Sequence, residues 1–394
     1  MQAEQENDFS QFWSLDPNCT FLNHGSFGAC PKAVLAVQQE LRSRLERQPL
    51  NFLGREFEAR LDQAREALAT FVGASVEELV FVPNATTGVN AVLRSLNFSP
   101  TDELLTTSQE YNACRNALDF VAARSGATVV VAEVPFPIES PNQVIEAVLS
   151  KVTDRTRLAL IDHVVSQTGM IFPIAQLVQA FCDRGIDTMI DGAHAPGMVD
   201  LNLTQLGATY YASTCHKWMC APKGAAFLYV KKEKQAEIRP LTISHGANSP
   251  RRDRSRFQLE FDWMGTDDPT AYLSVPSAIE FMNSLLPGGW AELKARNRST
   301  AIAARNQLCE LLNVAPPCPE EMVGSLATIP LPDGSYVELQ DALLEKFNIE
   351  VPIVPFPQAP KRLVRISAQL YNTAEHYEYL GQSLQTLLHL KSSH

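Results

Sequence analysis

Gly185-Ile186-Asp187-Thr188-Met189-Ile190-Asp191-Gly192-Ala193-His194 decides the fold, together with Ser213-Thr214-Cys215-His216-Lys217-Trp218 downstream of it. The first stretch is a short apolar run ending in Asp-Gly. It puts a carboxylate at the carboxyl end of a strand, where open α/β sheets hold their ligands. The second stretch sets a lysine among hydroxyls and an imidazole. An amine and a carboxylate in this arrangement suit pyridoxal 5'-phosphate: the amine holds its aldehyde as a Schiff base, and the carboxylate keeps its ring nitrogen protonated. Lys217 and Asp191 are read as catalytic on these grounds.

Outward from this pair, short β-rich runs alternate with helical patterns between about Val76 and Val230. The runs are Leu79–Val82, Thr128–Val131, Leu158–Ile161, Thr188–Ile190, Tyr210–Ala212 and Ala225–Val230. Ile174, Leu177, Val178 and Phe181 between them follow the i, i+3, i+4, i+7 spacing of a helix. Such alternation predicts an α/β fold with a mostly parallel sheet covered on both faces. A polar loop over 240–270 then carries Arg251, Arg252, Arg254 and Arg256. These arginines read either as recognising an acidic distal group of a substrate or as a solvated or dimer-bridging loop. Helical patterning returns at Val275–Glu280 and Ala291–Leu312. Val323–Ile329, Ile349–Val354 and Leu363–Ser367 read as strands, and Asn372–Leu390 as a terminal helix. The expected division is a segment 1–35 packing near a small domain, a large domain 36–275, and a small α+β domain 276–394.

The 394 residues are 45% hydrophobic and 20% charged, a globular composition with room for these parts. A formal net charge of −11 argues against nucleic acid, whose phosphates reward a basic surface. No apolar stretch is long enough to span a bilayer, so no membrane partner is expected. Met1–Asp8 is polar and acidic, without the basic start and apolar centre of a secretory signal. The eight cysteines lack paired spacing. Neither a disulfide framework nor a zinc site is read from them, no metal is expected, and a cytoplasmic setting is the expectation.

Four further segments suit the same pocket. Asn84-Ala85-Thr86-Thr87-Gly88 turns from a strand into a helix, whose free N–H groups and hydroxyls form a dianion site; an ordinary N-cap would use the same residues. Tyr111, opening the helix after Leu104-Leu105-Thr106, offers a ring to stack on a pyridine, or simply caps a strand end. His163-Val164-Val165-Ser166-Gln167-Thr168-Gly169 follows a strand, so Gln167 points toward the ligand crevice, as does His194. Arg365, in Arg362-Leu363-Val364-Arg365-Ile366-Ser367, can clamp a carboxylate with two parallel hydrogen bonds.

Asp191-Gly192-Ala193-His194 with Thr214-Cys215-His216-Lys217 resembles the class V aminotransferase superfamily of fold-type I pyridoxal-phosphate enzymes. Phe21-Leu22-Asn23-His24-Gly25-Ser26-Phe27-Gly28-Ala29-Cys30-Pro31 and Phe261-Asp262-Trp263-Met264-Gly265-Thr266-Asp267-Asp268 look most like its isopenicillin N epimerase-like branch. The resemblance implies a seven-stranded, mostly parallel sheet and a small C-terminal α+β domain. It makes Lys217 the Schiff-base lysine and Asp191 the partner of the ring nitrogen. It assigns Ala85, Thr86, Thr87, Thr214 and His216 to the phosphate, Tyr111 to ring stacking and catalysis, and Gln167 and His194 to the ring hydroxyl. Asn23, His24, Gln167 and Arg365 fall to the substrate. Gly265 and Thr266 are to reach the phosphate of the other subunit in a homodimer with a shared site.

One departure bears on the reaction. Desulfurases in this superfamily carry a nucleophilic Cys shortly before the carboxylate-binding Arg, and 351–360 contains none. The expected reaction is α-proton abstraction from an amino acid, epimerisation first. The alternative is β-elimination by a cysteine, cystine or cysteine-conjugate C–S lyase; desulfurase and aminotransferase readings rank behind.

Overall fold

The computed structural model describes residues 8–389. The acidic opening before Asp8 and Leu390 of the expected terminal helix lie outside the described residues.

The large sheet has seven strands: β1 (Leu79–Val82), β2 (Glu103–Thr107), β3 (Thr128–Ala132), β4 (Thr156–Asp162), β5 (Asp187–Asp191), β6 (Tyr210–Thr214) and β7 (Ala226–Val230). Their spatial order is β1-β7-β6-β5-β4-β2-β3. Only β7 runs against its neighbours β1 and β6; the other pairings are parallel. Most of these strands read as unbroken apolar runs because both faces are covered. Val80, Leu104, Leu158, Leu160, Met189, Tyr210, Ala212 and Leu228 pack into one core. The alternate residues Phe81, Leu105, Ala159, Ile161, Ile190, Tyr211 and Phe227 pack into the other. This is the period-two division of side chains along a strand. The helix Ala85–Ser95 lies close on the sheet: a Cβ on Gly88 would stand 2.9 Å from that of Ala212.

A second sheet is antiparallel and three-stranded, with Arg362–Ser367 between Ile353–Pro355 and Leu326–Leu331. The single strand expected over Ile349–Val354 is two. Ile349–Glu350 pairs in parallel with Thr20–Phe21, and Ile353–Pro355 joins the second sheet. Pro352 divides them, because its ring nitrogen has no hydrogen to give a ladder. Its carbonyl instead accepts from the Arg365 N–H at 3.1 Å.

The arginines of the 240–270 loop are engaged within the chain. Arg251 pairs with Glu58 and Asp253, Arg254 with Asp62, and Arg256 with Glu260. Arg65, fully buried, pairs with Asp262. The loop is thereby fastened to the helix Phe57–Val72. This favours a structural role for these three side chains over recognition of a substrate's distal acid.

Candidate active site

Because β1, β2, β4, β5 and β6 run the same way, their carboxyl ends share one edge of the sheet, and the candidate residues collect there. Asp191 ends β5 and is 2% exposed. One of its oxygens accepts from the Ala193 N–H at 2.9 Å and the other from the Cys114 thiol at 2.9 Å. Gly192 must follow it, since a Cβ there would fall 2.1 Å from the Tyr211 ring.

Lys217 Nζ lies 3.0 Å from His194 Nε2. The indole Nε1 of Trp218, a donor only, faces His194 Nδ1 at 3.4 Å. With Nδ1 facing that donor, the neutral imidazole carries its hydrogen on Nε2, toward the amine, and can donate to Lys217 once that amine has lost its proton. Burial, His194's largest influence, and the nearby Lys217 charge both hold the ring well below the usual imidazole range, so it stays neutral. Burial also pushes Lys217 down to about 8, against the pull of Asp191 toward the charged form. An ordinary lysine gains neutral amine up to about pH 10.4. The capture of pyridoxal phosphate by the apoprotein, which needs the neutral amine, is expected to quicken as pH rises, to be half-maximal near pH 8 and to level off by about pH 9. Stopped-flow absorbance at several pH values checks this; a rate still climbing past pH 9 would contradict the depressed amine.

The loop behind Lys217 is built by the N-terminal motif. Gly28 has φ +69°, and a Cβ there would sit 1.9 Å from the His216 carbonyl oxygen. Lys223 donates to the Gly28 carbonyl at 2.9 Å. His24, expected at the substrate, is instead enclosed. Its Nδ1 meets the Tyr371 hydroxyl at 2.8 Å and its Nε2 the Lys217 carbonyl at 3.0 Å. The ring has no open edge left for a ligand; it props the backbone that carries Lys217. Asn23 donates to Glu350 at 3.1 Å and accepts from Ser26.

At the other end of the edge, Asn84 caps the helix by accepting from Thr87 N–H at 2.8 Å and Thr87 Oγ1 at 3.0 Å. Thr87 is thus committed to the cap, while the first amides of the helix, those of Ala85 and Thr86, have no intrahelical acceptor. Thr214 donates to the Ala193 carbonyl at 2.7 Å. His216 is held through Nδ1 to the Ala225 carbonyl at 3.1 Å, leaving Nε2 free of that bond.

Arg365 donates to the Ser166 carbonyl and, at 2.8 Å, to Ser26 Oγ; its buried Nε has no partner. Burial pulls it down to about 10, still charged at neutral pH. Gln167 Oε1 is likewise buried without a partner. Tyr111 is 41% exposed. Gly265 and Thr266 are exposed and stand apart: the cavity at Gly265 is lined by Leu53, Phe57, Trp263 and Tyr272 and by no other candidate residue.

Sequence reasoning missed Ser26, Glu110, Cys114 and Asp162. Asp162 closes β4 as Asp191 closes β5, and the two are register partners, so the end-of-strand argument could have found it. Ser26 reaches Arg365 across 339 positions of chain, and no local signal marks it.

The fit to pyridoxal phosphate is good. The site offers a depressed lysine amine, a buried carboxylate, a helix start for a dianion, and two orphaned polar atoms, Arg365 Nε and Gln167 Oε1, that a bound ligand can satisfy.

The chain is 36% identical to an isopenicillin N epimerase of Amycolatopsis lactamdurans, covering 95% of this chain and 96% of that protein. It is 31% identical to a probable chloroplastic L-cysteine desulfhydrase of Arabidopsis thaliana, covering 98% and 86%. In fold it is similar to a cysteine desulfurase of Thermococcus onnurineus, with TM-score 0.81 at 18% identity over 99% and 100% of the two chains. A cystine C–S lyase structure gives TM-score 0.78 at 22% identity over 93% and 97%. The profile of aminotransferase class V matches residues 22–380, and the chain belongs to that family of fold-type I pyridoxal-phosphate enzymes.

Proposed function

We propose that this enzyme removes the α-proton of an amino-acid substrate and returns it to the opposite face, as an isopenicillin N epimerase-like epimerase. The observation that carries the reading is the depressed Lys217 amine, aimed by a neutral His194 at the edge where Asp191 is buried. Pyridoxal phosphate, when bound, accepts the electron pair that the departing proton leaves on Cα. The chain supplies the remainder. Ala85, Thr86, Thr214 and His216 hold the phosphate, Asp191 faces the ring nitrogen, and Gln167 and His194 face the ring hydroxyl. Arg365 receives the substrate carboxylate through its unpartnered Nε, its plane fixed by Ser26 and Ser166. Lys217 Nζ takes the proton from Cα. Tyr111, at the exposed rim, has the hydroxyl that gives a proton to the other face.

The active unit in this reading is a homodimer. The exposure of Gly265 and Thr266, away from the other candidates, supports their serving the partner's site. The eight free cysteines support a reducing, cytoplasmic setting.

A second reading, β-elimination of a thiolate, is favoured by the relatives named L-cysteine desulfhydrases. It needs the same base and clamp, and differs only in what leaves Cβ. One experiment separates them: incubation of the cofactor-loaded protein with a panel of L-amino acids in D2O. Deuterium at Cα with appearance of the D-enantiomer is the expected result. Pyruvate, ammonia and sulfide from cysteine would select the lyase, and a protein persulfide with alanine would sink both.

A further inference from the structure

Asp191 is not the only carboxylate behind the lysine. Asp162 is its register partner on the adjacent strand β4, and Glu110 stands at the carboxyl end of β2. Ligand atoms of Glu110, Cys114 and Asp191 all lie within 4.8 Å of one another. Asp162 and Glu110 are 2% and 5% exposed. With Glu110 this close to Asp191 and Asp162 beside Asp191 on the next strand, the three buried carboxyl groups are not all ionised, because like charges in a dry site repel strongly.

The hydrogen bonds show where the conflict is relieved. Asp191 has donors for both oxygens, from Ala193 N–H and the Cys114 thiol. Glu110 Oε1 and Asp162 Oδ2, by contrast, are fully enclosed and meet no donor. Glu110 Oε2 has only a long bond from Thr106 Oγ1, 3.3 Å. The Glu110 and Asp162 side chains are within hydrogen-bonding reach of each other, and one proton shared between them can satisfy an orphaned oxygen. Burial and the charge of Asp191 push Asp162 well above the usual carboxylate range, while a hydrogen bond from Glu110, the Tyr111 N–H and the charge of Lys217 pull it back toward the anion. Burial and the charges of Asp162 and Asp191 favour the neutral acid at Glu110. The other titratable groups beside Asp191 are the Cys114 thiol and the Tyr211 phenol, both pushed up by burial and by Asp191 and neutral; His163, bonded to the Tyr211 hydroxyl, is pushed down to about 4 by burial and is neutral as well.

We propose that Glu110 is a neutral carboxylic acid donating its proton to Asp162, and that the resulting Glu110–Asp162 pair stands as a second anion behind Asp191. Both are positioning residues, acting on the bound cofactor through the field at its ring-nitrogen end. A second negative charge there strengthens the hold on protons at the cofactor nitrogens, beyond what Asp191 alone provides. The inference rests on the reading of Asp191 as the ring-nitrogen partner.

The test is a pH titration of the cofactor's visible absorption in the loaded protein and four variants. Glu110→Gln replaces the donating acid by a donating amide of the same shape, so the midpoint stays within about 0.3 unit of the parent. Asp162→Asn with Glu110→Gln removes the second anion and lowers the midpoint by on the order of one unit. Asp162→Asn alone lowers it by less, since Glu110 can then ionise. Asp191→Asn is the control. If it leaves the midpoint unmoved, the ring-nitrogen reading fails and takes this proposal with it. If it shifts the midpoint while the double variant does not, only this proposal is overturned. A shift in Glu110→Gln as large as in the double variant also overturns it, because Glu110 would then be the anion. Should the double variant not fold, infrared spectroscopy of the parent apoprotein decides: a carboxylic-acid C=O band at neutral pH, lost in Glu110→Gln, is expected, and its absence overturns the assignment.

Discussion

Lys217→Ala is expected to lower turnover about a thousand-fold or more while leaving the folded state intact. The loss is large because, in the proposed mechanism, one nitrogen serves both as the attachment point of the cofactor and as the base at Cα. The fold is spared because the side chain makes a single hydrogen bond, to His194, whereas the backbone around it is held independently by His24 and by the close approach of Gly28. Steady-state kinetics beside a thermal melt separate the two effects. Borohydride reduction of the parent protein and peptide mapping should mark Lys217. A mark on Lys223 would move the role, although that amine is occupied by the Gly28 carbonyl at 2.9 Å. Mixing Lys217→Ala with a dead Thr266→Ala protein should restore part of the activity, since each mixed dimer then forms one complete site. No recovery under conditions of proven subunit exchange would argue against the shared site.

Asp191→Asn is the second large effect, with turnover expected to fall about a thousand-fold and cofactor affinity far less. The amide oxygen can keep the bond from Ala193 N–H, and the amide nitrogen that replaces the second oxygen can donate weakly to the Cys114 sulfur, so the local fold survives. What disappears is the charge that, in the proposed role, would keep a proton on the cofactor's ring nitrogen, where each pKa unit lost is about 1.4 kcal/mol. Kinetics together with equilibrium dialysis of the cofactor would check the split. Near-normal turnover would pass the role to another carboxylate, and Asp162, the register partner, would be the one to examine.

Much of the site was legible because it obeys a local rule. A strand buried on both faces shows as an apolar run, and the polar residue that ends it lies at the ligand edge. That rule puts Asp191, Tyr111 and Gln167 at the ends of strands, and the structure places them at the carboxyl edge of the sheet. Arg365 was found by its chemistry, and its unpartnered Nε is the feature expected of a clamp awaiting a carboxylate. His24 was misplaced for a related reason. A histidine in a distinctive motif suggests a ligand contact, but a motif does not say whether its ring faces the crevice or the underside of the loop that frames it.

The sequence by itself determined the alternating elements, the mostly parallel sheet, the placement of Asp191 at a strand end with Lys217 downstream, and the helix start at Ala85. All of these depend on periodicity and on residues near one another in the chain. Only the tertiary structure decided what supports them. His24 meets the Lys217 carbonyl from 193 positions away, Cys114 meets Asp191 from 77, and Ser26 fixes Arg365 from 339. The Cys114–Asp191 contact follows from a strand order, β1-β7-β6-β5-β4-β2-β3, that is not the chain order, and the other two from the N-terminal segment lying against the Lys217 loop and the second sheet. Where pairing is non-local, the neighbours of a buried charge are set by how whole elements dock, and no window of sequence contains them.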